Sequence, residues 1–258
     1  MGWEPFSGGS AIRRSFMAHA TLDGKTAVVT GGGRGIGRSV ALGLAGEGMR
    51  LVLAARSEEE IETTAGEIRE ADGQALAVPT DVTDTDDVTA LFERARERFG
   101  RVDLLVNNAG TNASGRLWEL SDEAWEKVID VNLNGAFRCA REALAGGMLE
   151  RGEGTILNMS SLTGKVGFAG TSAYGASKHG IQGLTNTLAK ELKDTDIRVS
   201  TVCPGQVATD LTDDIAEVDR LETEDVTDVV VFLATRPPGV YVPEVVAVPP
   251  DSIPVVYH

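Results

Sequence analysis

The stretch TAVVTGGGRGIGRSVALGLAGEG, residues 26–48, decides the predicted fold. Its first five residues are a short apolar run typical of a buried strand, and apolar residues recur at helical spacing in its last eleven. A glycine-rich segment, 31–37, connects the two. Glycine lets the backbone approach a diphosphate closely, and the N-terminus of a helix presents free N–H groups to an anion. The arrangement therefore predicts a dinucleotide-binding loop.

The next elements complete a strand–helix–strand unit and bear on the choice of cofactor. A second buried strand is predicted at 50–56, followed by an amphipathic helix with Ser57 as its N-cap. In dinucleotide sites a carboxylate near this point binds the ribose 2′-hydroxyl, whereas an arginine accommodates a 2′-phosphate. Here Arg56 ends the strand and Arg34 lies inside the glycine loop. No carboxylate stands at the end of this strand, where one would bind the 2′-hydroxyl. We expect NADP rather than NAD; the alternative is that both arginines are only solvated.

The alternation of strands and helices continues to the end of the chain. We predict strands in the segments 74–84, 101–110, 155–159, 197–205 and 242–250, and helices at 87–100, 121–149, 172–193 and 222–239. This predicts an α/β fold: a single Rossmann-type three-layer αβα domain over 21–258, with a seven-stranded parallel sheet and the site along the carboxyl ends of the strands. The acidic segment 206–222 is a candidate lid. Residues 1–20 are interpreted as a disordered arm or a misassigned start, with Met17 as the alternative initiator.

A second segment, NMSSLTGKVGFAGTSAYGASK at 158–178, carries candidate catalytic groups. Tyr174 and Lys178 are four residues apart, which places them on one face of a helix. Ser161 follows a predicted buried strand. A lysine beside a phenol favours the phenolate, so we expect Lys178 to help Tyr174 give or take a proton. The alternative is a tyrosine at a helix start, a solvated lysine and a serine in a turn.

Composition limits the class of partner. The 258 residues are 42% apolar and 24% charged, as in an ordinary soluble globular protein, and no run approaches the ~18 apolar residues of a membrane span. A net charge of −15 repels nucleic acid and anionic membranes, so we expect a small-molecule substrate. We interpret the acidity as a solubilising surface rather than an adaptation to a salty cytosol. The cysteines and histidines offer no metal-ligand spacing, no apolar h-region follows Arg13-Arg14, and a cytoplasmic location is expected.

Taken together, these motifs resemble the short-chain dehydrogenase/reductase family over about residues 22–248. The matching segments are the cofactor loop from Thr30 to Gly37, Asp81, the turn Asn107–Gly110, the catalytic set Asn132, Ser161, Tyr174 and Lys178, and Pro204-Gly205 with Thr209. The resemblance implies that Ser161 holds the substrate oxygen and that Tyr174 passes a proton as hydride moves. It also implies that Lys178 lowers the pKa of the tyrosine and binds the nicotinamide ribose, and that Asn132 anchors a water.

The predicted cofactor site is larger than the catalytic set, and no metal is predicted. It consists of Gly31, Gly33, Arg34, Gly35, Ile36, Gly37, Arg56, Asp81, Val82, Asn108, Ala109, Gly110, Tyr174, Lys178, Pro204, Gly205, Val207 and Thr209.

The predicted function is an NADP-dependent oxidoreductase that acts on a secondary alcohol or ketone of a small substrate. Family members that reduce 3-oxoacyl thioesters often carry a valine-aspartate-glycine-glycine signature near the C-terminus, whereas this chain has VPEVVAVPP at 242–250 and resembles the branch acting on small 3-hydroxy acids. Reduction of a 3-oxoacyl thioester remains an alternative. A catalytically silent dinucleotide-binding scaffold is the alternative of another class. Helices 121–149 and 172–193 fit the paired-helix face of the family, so we expect a homodimer or homotetramer.

Overall fold

The computed structural model of the chain describes residues 20–209, 220–237 and 239–252. In these residues one parallel sheet of seven strands forms, in the order β3-β2-β1-β4-β5-β6-β7. The strands are β1 (Thr26–Thr30), β2 (Arg50–Ala55), β3 (Gln74–Pro79), β4 (Leu104–Asn107), β5 (Glu153–Met159), β6 (Asp196–Pro204) and β7 (Glu244–Ala247). The predicted arm at 1–19 and the centre of the predicted lid, 210–219, lie outside the described residues.

Eight helices accompany the strands within the described ranges. They are α1 (Gly35–Gly46), α2 (Glu58–Glu70), α3 (Thr85–Phe99), α4 (Asp122–Ile129), α5 (Gly135–Ala143), α6 (Leu149–Arg151), α7 (Ser172–Glu191) and α8 (Thr223–Ala234). The predicted ends agree with the local bonding: the Ser57 hydroxyl accepts from the Glu60 amide at 3.4 Å, and Gly100 ends α3 with φ of 85°.

Two apolar layers hold the helices against the two faces of the sheet. Successive strand residues point to opposite faces, so Val29 packs with the apolar sides of α1, α2 and α8, whereas Val28 packs with those of α3, α5 and α7. Strands covered on both sides are apolar throughout, which explains the fully buried β1. The predicted three-layer α/β fold with its seven-stranded parallel sheet is confirmed.

The order of the strands fixes where a ligand can bind. β1 pairs with β2 on one side and with β4 on the other, as in the register Val28 with Val52 and Val28 with Leu105. The chain therefore reverses direction across the sheet at β1, and the loops after β1 and β4 diverge there. Such a switch point opens a crevice at the carboxyl ends of the strands.

The segment predicted as one helix at 121–149 is interrupted. π-helical turns at Asp130–Asn134 and Leu144–Met148 separate α4, α5 and α6, and Gly147 has a non-helical φ of 124°. The first turn carries Asn132 inward, where its side chain is buried. π-turns are often found at functional sites, because the extra residue re-aims a side chain. None of the described helices is long and apolar enough to cross a membrane.

Candidate active site

A cleft of about 690 Å³ runs along the carboxyl ends of the strands. Every residue that the sequence analysis assigned to the cofactor lines it, as do Ser161 and a further group of residues that includes Glu60 and Lys127. Asn132 does not line the cleft; it is buried behind the wall. The fold thus brings the predicted residues from distant parts of the sequence to one surface.

The glycine loop between β1 and α1 has the shape that a dinucleotide requires. Gly31 has φ of 66°, a conformation that favours glycine, and a Cβ placed on Gly37 would lie 2.0 Å from the Gly31 carbonyl oxygen. Neither position accepts a side chain without displacing the backbone. The loop therefore leaves its backbone accessible at the N-terminus of α1, which is where a diphosphate binds in this fold.

The loop is tied to the turn after β4 by hydrogen bonds. The Thr30 hydroxyl accepts from the backbone amides of Asn108 and Ala109, each at 3.0 Å. The Asn108 side-chain amide donates to the carbonyl oxygens of Thr30 at 3.0 Å and Gly31 at 3.3 Å. Asn108 is thus more than a turn residue, because it fixes both walls of the crevice. Residue spacing alone does not reveal this contact.

One end of the cleft is lined by exposed charged groups. Arg34 lies immediately before α1, and its Nε is 3.9 Å from the carboxylate of Glu60. Arg56 and Ser57 line the same end. Asp81 follows β3; burial raises its pKa, but hydrogen bonds from the backbone and hydroxyl of Thr83, together with the charges of Arg56 and Arg138, lower the pKa more. Asp81 is therefore ionised at neutral pH.

The other end of the cleft holds the predicted catalytic residues. Ser161 lies two residues after the end of β5, and Tyr174 lies in the first turn of α7 with Lys178 one turn later. The Lys178 ammonium donates to the Met159 carbonyl at 2.7 Å and lies 5.4 Å from the centre of the Tyr174 ring. The Ser161 side chain lies near enough to Tyr174 to lower the pKa of the phenol in part. All three residues line the same end of the cleft.

Burial controls the acid–base properties of this group. It raises the pKa of Tyr174 above its ordinary value, and the nearby Ser161 side chain offsets only part of that rise. Burial also lowers the pKa of Lys178 to about 8. Lys178 does not contribute to the shift of the tyrosine pKa in this structure, where its ammonium is directed to the Met159 carbonyl oxygen, so the lowering by Lys178 stays a prediction. Tyr174 is accordingly a phenol at neutral pH.

Asn132 connects the elements behind the catalytic group. Its Oδ1 accepts from the Thr111 amide at 2.8 Å, and its Nδ2 donates to the Thr111 carbonyl at 2.9 Å and the Ser177 hydroxyl at 3.0 Å. Ser177 donates in turn to the Tyr174 carbonyl at 2.7 Å. Asn132 therefore links the loop after β4 to the first turn of α7. Sequence reasoning missed Thr111 and Ser177, since neither belongs to a motif.

A buried ladder of amides lies beneath the strand ends and was also missed. The Asn107 side chain donates to Asn158 Oδ1 at 2.9 Å, and Asn158 donates to the Thr185 hydroxyl at 2.9 Å. The ladder joins β4, β5 and α7. Asn107, Asn108 and Asn158 are polar residues near the ends of apolar runs, and this position was the signal from which the ladder could have been predicted.

No group of three or more His, Cys, Asp and Glu that could hold a metal occurs among the described residues.

A Rossmann-type sheet, a glycine loop at its switch point, and a serine, a tyrosine and a lysine at one end of the cleft define a dinucleotide-dependent oxidoreductase. Comparison with known proteins identifies its family. The profile described as "short chain dehydrogenase" matches residues 25–220. The chain belongs to the short-chain dehydrogenase family, as predicted.

Its relatives include reductases of acyl-carrier substrates. It is 37% identical over 231 residues to a 3-oxoacyl-[acyl-carrier-protein] reductase of Synechocystis, a match spanning 86% of this chain and 93% of the relative. It is 40% identical over 194 residues to a protein of the same description, FabG, from Staphylococcus aureus, over 75% and 78% of the two chains.

Two solved structures are similar over nearly their full length. A point variant of actinorhodin polyketide ketoreductase, solved with NADPH, is 37% identical with a TM-score of 0.83 and covers 93% of this chain and 100% of its own. A metagenomic short-chain oxidoreductase in complex with NADP is 36% identical with a TM-score of 0.80, over 89% and 99%.

Proposed function

We propose that this oxidoreductase transfers a hydride between NADP(H) and a secondary alcohol or ketone, with residues 21–258 as one catalytic domain. The observation that carries the proposal is the position of Ser161, Tyr174 and Lys178 at one end of a cleft whose other end is the glycine loop. The bound nicotinamide would supply or accept the hydride. The protein has to hold the substrate oxygen and manage its proton.

In the direction of carbonyl reduction, the acid–base groups have separate roles. Ser161 would orient the carbonyl oxygen through its hydroxyl. Tyr174 would donate its phenolic proton to that oxygen as negative charge develops, since its raised pKa keeps the proton in place at neutral pH. Lys178 supplies a positive charge beside the phenol and would bind the nicotinamide ribose. Asn132 would keep α7 and the loop after β4 in register and anchor the predicted water.

The cofactor is proposed to lie along the cleft with its adenosine end near Arg34, Arg56, Asp81 and Val82. Arg34 and Arg56 would bind the 2′-phosphate, because exposed guanidinium groups can form paired, charge-assisted bonds to it. Pro204, Gly205, Val207 and Thr209 would hold the nicotinamide end. The NADPH and NADP in the two similar solved structures support this choice of cofactor.

Two substrate classes compete. Reduction of a 3-oxoacyl thioester is favoured by the relatives that carry this description. A small 3-hydroxy acid is favoured by the C-terminal segment at 242–250, which lacks the glycine-rich signature. A thioester with a long acyl carrier and a small hydroxy acid differ in size and charge, so the specificity constants of the two classes should differ in steady-state kinetics.

The test uses the full chain and follows NADPH absorbance. Acetoacetyl thioesters with NADPH are compared with a series of small 3-hydroxy acids with NADP⁺, and the specificity constants are ranked. A thermal-shift titration with NADP and NAD runs alongside, where a hundredfold excess over the dissociation constant stabilises the folded state by about 2.7 kcal/mol. Cofactor binding without turnover on either series would favour the silent scaffold. No shift with either cofactor would refute the proposed site.

We also propose a cytoplasmic homo-oligomer, a dimer or a tetramer. Phe137 on α5, Leu149 on α6 and Phe232 on α8 are large apolar side chains exposed on helices in this single chain. Phe137 and Phe232 belong to helices on opposite faces of the sheet, so a dimer would cover one of the two and a tetramer would cover both. Light scattering of the wild type and of Phe137→Asp tests this, with a lower mass expected for the variant. A monomeric wild type would contradict the proposal.

A further inference from the structure

The phosphate end of the cleft contains a negative group as well as the two arginines. Glu60 lines the cleft together with Arg34, Arg56 and Ser57. Its carboxylate lies 3.9 Å from Arg34 Nε. A carboxylate at this position lies beside the site proposed for the 2′-phosphate of the cofactor.

We propose that Glu60 is a specificity-determining residue that opposes the 2′-phosphate of the cofactor and thereby limits the preference for NADP(H) over NAD(H). The inference rests on the proposed function, in which Arg34 and Arg56 bind that phosphate. It assigns to Glu60 an unfavourable electrostatic role that the two arginines must overcome.

The backbone fixes Glu60 in this position. It lies in the first turn of α2, where its amide donates to the hydroxyl of the N-cap Ser57 at 3.4 Å. A Cβ placed on Gly33 would lie 2.7 Å from the Cβ of Glu60, so the base of the side chain is in direct contact with the glycine loop. The backbone and Cβ of Glu60 cannot move far from the loop without displacing α2. The side chain therefore begins beside the loop, and its carboxylate can reach the group that Arg34 binds.

The charge balance explains the direction of the effect. Glu60 is one partner of Arg34, and a phosphate would compete with it for the same guanidinium group. The phosphate also carries nearly two negative charges of its own, which the carboxylate repels. Both effects weaken binding of NADP(H), whereas NAD(H) has a hydroxyl at this position and is nearly unaffected.

The neighbouring Glu59 offers a matched control. Glu58, Glu59 and Glu60 all lie in the first turn of α2, so each contributes a similar charge near the helix N-terminus. Glu59 does not line the cleft, and its side chain is exposed. Glu59→Gln therefore changes net charge and helix-end electrostatics as Glu60→Gln does, without changing the group that faces Arg34.

The experiment measures dissociation constants of NADPH and NADH for the wild type, Glu60→Gln, Glu59→Gln and Arg34→Ala, by fluorescence titration at low salt and at about 0.5 M salt. We expect Glu60→Gln to bind NADPH about fivefold more tightly at low salt, with less than about a twofold change for NADH, as one partly screened charge pair predicts. The gain should shrink at high salt, and Glu59→Gln should bind like the wild type.

Other outcomes overturn the inference in distinguishable ways. Unchanged or weaker NADPH binding by Glu60→Gln would show that Glu60 is neutral or instead orients Arg34 for the phosphate. An equal gain in Glu59→Gln would reduce the effect to net charge. In both cases a selective loss of NADPH affinity in Arg34→Ala would leave the proposed function standing. If Arg34→Ala binds NADPH like the wild type, the phosphate is not bound by Arg34 and the cofactor placement itself fails.

Discussion

The two ends of the cleft each carry a positive side chain, but one is buried and the other is exposed to solvent. Lys178 is buried, with 5% of its surface exposed, and its ammonium is bonded to the Met159 carbonyl. The side chain of Arg34 is 62% exposed and faces a carboxylate that is itself 44% exposed. Water screens the second pair strongly, so its strength depends on salt. Burial removes that screening from Lys178 and shifts its pKa instead.

This difference separates chemistry from recognition. Groups that exchange protons need pKa values set by their surroundings, and burial shifts the pKa of both Tyr174 and Lys178. Groups that bind an ionised phosphate need only stay charged and reachable. The buried end should therefore respond to substitution in catalytic rate and pH dependence. The exposed end should respond in cofactor affinity and salt dependence.

The strongest test of the comparison removes the phenol at the buried end. Tyr174→Phe deletes the proton donor while keeping the ring, so kcat should fall by about 10²- to 10⁴-fold, the usual contribution of a general acid. NADPH binding, measured by fluorescence titration, should change little.

Tyr241→Phe is the matched control for Tyr174→Phe. The Tyr241 hydroxyl donates to the Val199 carbonyl at 3.1 Å, away from the cleft. Its loss should reduce stability by about 1 kcal/mol and leave kcat unchanged. Full activity in Tyr174→Phe would contradict the assigned mechanism.

At the exposed end, the expected effect lies in affinity rather than rate. Arg34→Ala combined with Arg56→Ala should raise the NADPH dissociation constant about 100-fold, because each charge-assisted bond contributes roughly 1.5–3 kcal/mol before screening. NADH binding should weaken far less, and kcat at saturating NADPH should stay close to that of the wild type. Equal losses for both cofactors would show that the arginines do not recognise the phosphate.

The sequence predicted some features of the molecule and missed others, and the physical origin of each feature explains why. The β1 loop and α1 were predicted correctly, because the change from strand to helical period and the glycines between them are local signals. The 121–149 segment was wrong as one continuous helix, because Gly146 and Gly147 leave the helical conformation, and this glycine pair was a local signal that the prediction passed over. The π-turn around Asn132 could not be predicted, because it is accompanied by bonds to Thr111 and Ser177 that are distant in sequence. The pKa of Tyr174 could not be predicted, since burial is a property of the assembled fold.

A smaller effect at the buried end concerns stability and pH. The unfolded chain holds the Lys178 proton up to about pH 10.5, whereas the folded chain loses it near pH 8. Below pH 8 both states are protonated and the cost of burying the ammonium is fully present. As pH rises above 8 only the unfolded state keeps the proton, so stability rises.

Between about pH 7 and pH 9 this gain should be about 1.4 kcal/mol, one pKa unit's worth of free energy. Urea denaturation of the wild type and Lys178→Met at both values measures it as the difference between the two proteins. The same pH dependence in both would show that the Lys178 pKa is not lowered. Burial raises the pKa of Cys139 to about 12 and that of Cys203 to about 11, which opposes the gain as pH approaches 9. Both thiols are present in the wild type and in Lys178→Met, so taking the difference removes their contribution.

The smallest predicted effect is a difference in stability between a partly buried ion pair and an exposed one. Lys165 closes the turn that begins at Ser161, and its ammonium pairs with Glu244 of β7 at 2.5 Å, with 35% and 26% of the two side chains exposed. Lys193 pairs with Asp194 at 2.9 Å, with 70% and 84% exposed. Lys165→Met should lower the free energy of unfolding by about 1 kcal/mol and reduce kcat/KM a few-fold, because a poorly compensated carboxylate loosens the Ser161 turn. Lys193→Met should change neither quantity beyond error. If the two variants lose equal stability, burial does not control the strength of charge pairs here, and the contrast between the two ends of the cleft would need another cause.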